Sequence, residues 1–348
     1  MKTSKWKQNE KTFVLLAVLI LLAVVVGAFK PDKFYTMANF QSMSRQLAEI
    51  GIYALATFVI VVSGGLNMSI VAVANFSAIC GGSIMQGMVL GNVIQDPTMR
   101  LIVGVVVSLI IGTLSGVING YFVAGLGLTA VLVTSATSML FQGMALVITK
   151  GNAIVGAPDA ISALGAESLF GMIPYLLILT VVCYAIAEFV FEKTAFGAQC
   201  RLLGANAVAN RYSGNSNFKT LMKSYMLSGL FSSIGGIASY SRMCALRPDY
   251  GSSLTSTGML VVLMGGAWVV AGGGKVLNIF ISLFCIQIIS SGLTLAGASN
   301  FTRNTIWGLM LIALLVFATP QMKARFEMLF RGCTKKTAHP ENAQTSQF

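Results

Sequence analysis

Apolar residues come in long unbroken blocks along this chain, each closed by a short cluster of glycine, proline or charge. Thr12 to Phe29 is the first and ends at Lys30-Pro31-Asp32, because proline donates no amide hydrogen and disfavours helix in the residue before it. Ile50 to Leu90 is too long for one bilayer crossing, so Ser63-Gly64-Gly65-Leu66-Asn67 marks a break between Ile50–Val62 and Met68–Leu90. Leu101–Phe122, Leu128–Ile148, Met172–Phe191, a serine- and glycine-rich Leu221–Tyr240, Thr257–Ala271, Val276–Ala296 and Thr305–Thr319 follow. The blocks do not alternate apolar with polar, which a membrane barrel requires. The expectation is an all-α polytopic membrane protein of about ten helices, one transmembrane domain over residues 1–348.

Composition reinforces this: 55% of residues are hydrophobic and 10% charged, against about 25% charged in soluble domains. The net charge of +12 raises nucleic acid as a partner, but the basic residues sit at block ends rather than on one face, so no nucleic-acid role is expected. The start, MKTSKWKQNEK, is basic like a signal peptide but lacks a small-residue cleavage site, and reads as a retained first helix. With the amino terminus inside and ten crossings, fifteen of the 23 basic residues lie on the inner side, in accord with the positive-inside rule. That topology puts residues 1–11, the long polar interval 193–219 and the tail 321–348 in the cytoplasm, and Lys150–Gly171 outside.

Gly64-Gly65 before one helix and Gly265-Gly266 with Gly272-Gly273-Gly274 later form a weak echo, as in transporters built from two loosely repeated halves with interrupted helices. Glycine is also simply frequent here, at 36 residues, and both readings stay open.

Several chemistries are excluded. Gly272-Gly273-Gly274-Lys275 lacks the spacing of a phosphate loop, so the chain does not hydrolyse ATP by itself. One histidine, His339 in the tail, and scattered carboxylates give neither a metal site nor a catalytic triad, and no enzyme is expected. Glu49 and Glu188 lie near helix ends, where snorkelling to the interface explains them. No ionisable group is expected at the centre of the apolar blocks, so the driving force should come from a partner. Uncharged polar residues do occur there, among them Asn75, Asn119, Gln142 and Gln287. Each is explained by interhelical hydrogen bonding; as a set they suit a neutral polar solute on a translocation path, with Gly64, Gly65, Asn67 and Ser69 at the break.

Four ordered motifs carry a family resemblance: Ser63-Gly64-Gly65-Leu66-Asn67-Met68-Ser69-Ile70; Asn119-Gly120; Phe196-Gly197 through Leu203-Gly204-Ala205-Asn206 to Arg211-Tyr212-Ser213-Gly214; and Leu263-Met264-Gly265-Gly266 with Ala271-Gly272-Gly273. Over about Glu49–Ala318 the chain resembles the permease subunit of ribose-type ABC importers, which serve ribose, xylose, galactose and autoinducer-2. The resemblance implies a bacterial inner-membrane permease for a sugar or sugar-like solute, with both termini cytoplasmic. It implies a cytoplasmic ATP-binding subunit that holds ATP and magnesium, so no cofactor in this chain, together with a periplasmic solute-binding protein and a second permease, identical or homologous, within membrane lipid. It also makes Phe196, Gly197, Arg201, Gly204, Ala205, Asn206, Arg211, Ser213 and Gly214 an ATPase-coupling loop, around a short helix such as Gln199–Arg211. The chain departs from the family pattern at Asn67, where aspartate is usual, at Val71 for glycine, at Gln199 for arginine and at Asn215 for isoleucine. Rivals are a branched-chain amino acid permease of a related group, a secondary carrier coupled to an ion gradient, and a membrane anchor or sensor.

Overall fold

The computed structural model describes residues 2–89, 93–267 and 272–318. Its helices are α1 (Lys2–Phe29), α2 (Pro31–Phe34), α3 (Met37–Val62), α4 (Ile70–Met85), α5 (Pro97–Gly120), α6 (Ala130–Thr149), α7 (Asp159–Ala166), α8 (Tyr175–Lys193), α9 (Ala195–Ala205), α10 (Ala207–Tyr212), α11 (Asn217–Met243), α12 (Ser252–Met264), α13 (Val276–Leu295) and α14 (Asn300–Ala318). A π turn, Tyr121–Gly125, continues α5. The chain is an all-α multi-pass membrane protein. Among the described residues five helices are long and apolar enough to cross a bilayer (α3, α5 with its π turn, α6, α8 and α13), and α1, α4, α12 and α14 contain shorter apolar stretches. With α11 these are the ten elements that the apolar blocks predict. The tail 321–348 and the block-end residues Leu90, Ala271 and Thr319 lie outside the described residues.

Helix α5 shows how lipid inverts the usual amphipathic pattern. Its exposed side carries Ile102, Val106, Ile110, Leu114 and Ile118, while Gly104, Ser108, Gly112, Ser115, Gly116 and Asn119 face inward. Large apolar side chains lose nothing by facing hydrocarbon, so the interior goes to small residues that let backbones approach. A Cβ built on Gly116 would stand 2.3 Å from the carbonyl oxygen of Tyr225 on α11.

Helix α11 packs against α3, α4 and α5 at the centre of the bundle. It buries Ser224, Ser228, Ser232, Ser233 and Ser239 together with Gly229, Gly235 and Gly236. Serines 224, 228 and 232 return the hydrogen to carbonyls of the preceding turn or a neighbouring helix, which satisfies the hydroxyl in a dry interior. Around it a larger apolar core joins α3, α8, α12 and α13, with Phe58 and Phe191 meeting edge to face at 5.1 Å.

The two glycine breaks have the same local geometry. Gly64 ends α3 at φ 85° with Gly64 N–H donating to Val61 O and Gly65 N–H to Ile60 O; Gly266 ends α12 at φ 82° with Gly266 N–H donating to Leu263 O and Ala267 N–H to Val262 O. This is the paired C-cap that a left-handed residue completes, and glycine adopts it without a Cβ penalty.

At the end of the bundle away from α9 and α10, Ile154–Val155 pairs with Ala245–Leu246, and Ser168–Leu169 pairs with Ile173–Pro174. The polar interval Lys150–Gly171 is thus partly ordered, with α7 in its middle.

Candidate functional site

The predicted coupling loop folds as two helices rather than one. Asn206 divides them: its backbone is extended and its Oδ1 accepts from Val208 N–H and Ala209 N–H at 2.9 and 3.0 Å, capping α10. A side chain that satisfies two orphan amides favours a new helix start over continuation of the old one. Helix α10 then ends at Gly214, where φ is 79° and the N–H donates to Arg211 O. On its outer side Val208 is 63% and Tyr212 89% exposed, beside the exposed Arg211.

Helix α9 is fastened to the membrane helices. The ring of Phe196 lies 6.0 Å from that of Phe191, and a Cβ on Gly197 would reach 2.2 Å from Phe191 O, so the chain turns tightly from α8 into α9. Arg201 pairs with Glu192. A Cβ on Gly204 would stand 2.1 Å from Val62 O and 3.1 Å from both Gly64 N and Gly272 Cα. From the other side, a Cβ on Gly272, whose φ is 55°, would meet Arg201 O at 2.0 Å. The last turn of α9 is therefore held between the end of α3 and the segment that leads into α13, and three sequence motifs meet at one point. The buried Cys200 adds a polar link: its Sγ lies 3.4 Å from Ser224 Oγ, which lies 2.8 Å from Ser63 Oγ. Burial pushes the Cys200 thiol above its ordinary range.

Beyond Gly64 and Gly65 the chain is held by a buried hydrogen-bond network. Asn67 Oδ1 accepts from Ser69 N–H at 3.0 Å and Ser69 Oγ at 2.8 Å, while its Nδ2 donates to Ser228 Oγ at 3.2 Å. Ser228 Oγ in turn donates to Ala56 O at 2.8 Å. Asn119 Nδ2 donates to Ser69 Oγ at 2.8 Å, and Thr137 Oγ1 donates to Asn119 Oδ1 at 2.7 Å. Thr134 Oγ1 accepts from Met68 N–H at 3.1 Å. The break between α3 and α4 is in this way tied to α5, α6 and α11. An irregular stretch at membrane depth survives only where its backbone groups find such partners.

The sequence-predicted path residues separate into three places. Asn67, Ser69 and Asn119 belong to that network. Asn75 and Gln142 instead line a cavity of about 250 Å3 with Ser138, Tyr250, Thr255 and Ser256. There Asn75 Nδ2 donates to Pro248 O and Tyr250 O at 3.2 and 2.8 Å, pinning the loop between α11 and α12 over the cavity. Gln287, 1% exposed, lines an apolar cavity of about 560 Å3 between α1, α2, α3 and α13 and belongs to neither group.

Glu49 does not snorkel. It is 1% exposed; its Oε2 lies 2.7 Å from Arg242 Nε and its Oε1 accepts from Ser239 Oγ at 2.7 Å. Arg242 Nη2 donates to Tyr250 OH at 2.6 Å. Burial, and then the Glu49 carboxylate, push the Tyr250 phenol up to about 12, so it serves that arginine as a neutral acceptor. The reason for the correction is partner geometry: Arg242 on α11, itself partly exposed, meets the Glu49 carboxylate inside the bundle, and Ser239 satisfies its other oxygen. Sequence reading missed this pair and Ser228. Serines at 224, 228 and 232 share one helix face, and that spacing was the available signal.

Comparison with known proteins agrees with this architecture. A family described as branched-chain amino acid transport system / permease component matches residues 39–319. The L-arabinose transport system permease protein of Escherichia coli is 29% identical over 316 residues, 89% of this chain and 91% of the relative. The autoinducer 2 import system permease protein of Salmonella typhimurium is 27% identical over 340 residues, 96% of this chain and 98% of the relative. The ribose import permease protein of Bacillus subtilis is 29% identical over 301 residues, 86% of this chain and 90% of the relative.

Proposed function

The chain belongs to the family of branched-chain amino acid transport system permease components, and from that premise we propose that it is the membrane-spanning subunit of an ATP-driven importer of a sugar or sugar-like solute. The observation that carries the solute class is the cavity of Asn75 and Gln142. Its polar lining is mainly hydroxyls and amides, with Asp249 as the carboxylate, itself 3.3 Å from Arg247. Such groups exchange hydrogen bonds readily with a hydroxyl-rich solute and do not trap it. The relatives named for L-arabinose, autoinducer 2 and ribose, each aligned over most of both chains, support the same class. A branched-chain amino acid would call for an apolar pocket beside a group that pairs its carboxylate.

In this reading α9 and α10 face the cytoplasm and dock on an ATP-binding subunit, which holds ATP and magnesium; this chain carries no catalytic chemistry of its own. Exposed Val208, Arg211 and Tyr212 form the contact. Closure of the ATPase moves α9, and the Gly204 contact passes that movement to the break at Gly64 and to Gly272 in the segment that leads into α13. Two ATPase copies, a second permease and a periplasmic solute-binding protein complete a machine in the bacterial inner membrane, with both termini of this chain cytoplasmic. The test is ATP-dependent uptake by the reconstituted assembly: D-ribose or L-arabinose should enter and compete with the native solute while L-leucine does not. Uptake by this chain alone under an ion gradient would refute the proposal.

A further inference from the structure

The Glu49–Arg242 pair lies outside the lining of the transport path just described and touches it through Tyr250, and burying the Glu49 carboxylate is costly unless a partner repays it. Both residues line a cavity of about 380 Å3 between α3 and α11–α14, with Thr257, Ser290, Arg303, Asn304 and Trp307. Arg242 and Gln46 also line a neighbouring cavity of about 490 Å3 beside Gly165 and Ala166, so the two cavities share a wall at the end of the bundle opposite α9 and α10.

We infer that the Glu49–Arg242 pocket is a solute site for a neutral polyhydroxylated molecule the size of one sugar ring, which gives the permease a selectivity of its own. This rests on the sugar-importer reading above. The volume falls within the range of small-molecule sites, where a few convergent polar groups fix the ligand. Glu49 uses one oxygen for Ser239 and one toward Arg242 and is 1% exposed, so it acts on the pocket by holding the partly exposed Arg242 in place. Arg242 has five N–H donors, and Thr257, Ser290 and Asn304 add oxygens and an amide around the same space. Trp307 offers an aromatic surface for the apolar C–H face of a sugar ring. The lining weighs against a zwitterion at its ammonium: a carboxylate can meet Arg303, but Glu49 is the one carboxylate of the lining and is already paired. An amino acid would have to separate Glu49 from Arg242, 2.7 Å apart, to seat its ammonium, whereas a polyol accepts from the N–H groups of Arg242 as they stand.

The pocket can be probed through Ser253, which is exposed and lines it. In the full chain carrying Ser253→Cys, embedded in lipid nanodiscs, the rate of reaction with a small water-soluble maleimide is measured with the wild-type chain's labelling subtracted. D-ribose, L-arabinose, D-xylose and D-galactose are added in turn. At least one sugar should slow labelling by threefold or more at saturation, while L-leucine does not. Adding Glu49→Gln should raise the half-protecting concentration at least tenfold. Trp307→Phe, which keeps an apolar ring in the packing, should raise it at least threefold and guards against a folding defect in the first variant. Protection by none of the sugars, equal protection by L-leucine, or an unchanged half-protecting concentration in both variants would overturn the inference. ATP-driven uptake by the assembled complex separates the two readings. Sugar uptake without protection removes the pocket and leaves the sugar permease standing; leucine uptake without sugar uptake removes both.

Discussion

Gln199 Nε2 donates to Asn215 Oδ1 at 3.1 Å. These are two of the positions at which the sequence departs from the pattern of the family it resembles; Gln199 lies on α9 and Asn215 in the turn between α10 and α11. Asn215 Nδ2 continues to Asn210 Oδ1 at 3.1 Å, and Asn210 Nδ2 to Asn217 Oδ1 at 2.8 Å. Arginine and isoleucine would form no such ladder, so the two departures are matched to one another. Gln199→Ala and Asn215→Ala should each lower stability by about 0.5–1.5 kcal/mol, and the double variant should cost clearly less than their sum. A double-mutant cycle of thermal unfolding in detergent measures the coupling, and strict additivity would show that the ladder carries none.

The close approach of Gly204 to Val62 O predicts that Gly204→Val displaces α9. At 2.1 Å from a backbone oxygen the added Cβ has no soft neighbour to push aside. Overpacking of this kind typically costs about 1–3 kcal/mol. The expected phenotype is ATP hydrolysis that no longer responds to solute, with ATPase binding retained. Gly214→Ala is the contrast: nothing lies within 4 Å of its Cβ, and only the positive φ of 79° is penalised, at about 1–2 kcal/mol. Its solute-stimulated hydrolysis should survive.

Asn67→Ala removes the acceptor of Ser69 N–H and Ser69 Oγ and should cost about 1–3 kcal/mol, because buried donors are left without partners. Asn67→Asp, the family residue, keeps that acceptor, and Ser228 can turn its hydroxyl from Ala56 O toward the carboxylate. Its unfolding midpoint should lie nearer to wild type than that of the alanine variant. The reverse order would mean that the amide donor to Ser228 dominates.

Charge reversal of Arg211 and truncation of Tyr212 both act on the exposed side of α10. Neither should move the unfolding midpoint of the isolated chain appreciably, since surface substitutions fall within about 0.5 kcal/mol. Tyr212→Ala should weaken co-purification of the ATPase subunit at least tenfold, as loss of a buried aromatic anchor does at interfaces. Undiminished co-purification of both variants would remove α10 from the contact.

Cys200 yields a pH test. Thiol alkylation needs the thiolate, and burial raises this thiol's pKa, so at neutral pH it should label far more slowly than an exposed cysteine. The sign follows from the folded thiol holding its proton to higher pH: labelling should stay slow through the ordinary thiol range and rise only above it, or at once on unfolding. Faster labelling when the ATPase closes would report that α9 has lifted from Ser224.

Much of this was readable from sequence for a physical reason. Lipid forces every crossing into a helix, so the apolar blocks at Leu101–Phe122 or Val276–Ala296 need no tertiary information to be placed. The breaks at Gly64 and Gly266 were visible because left-handed caps select glycine. Asn206 was legible in principle, since asparagine favours the N-cap, but the helix-compatible run from Gln199 to Arg211, which contains no proline, concealed it. Glu49 with Arg242, and Asn67 with Ser228, are different. They are far apart in sequence and join α3, or the break after it, to α11, so helix packing alone creates those relationships, and no local pattern encodes them.

Helix α11 carries a consequence for how the protein is made. It is polar enough to fall outside the helices that hydropathy and length identify, yet it stands at the centre, its serines and glycines set against α3, α4 and α5. Partitioning from the translocon into bare lipid follows hydrophobicity, and such a segment has little of it. Its favourable environment is the surface of the amino-terminal helices, which emerge from the ribosome first. Insertion of the last third of the chain should therefore depend on prior assembly of the first, and a lesion on the inward face of α5 should register as a wrong orientation of α12–α14.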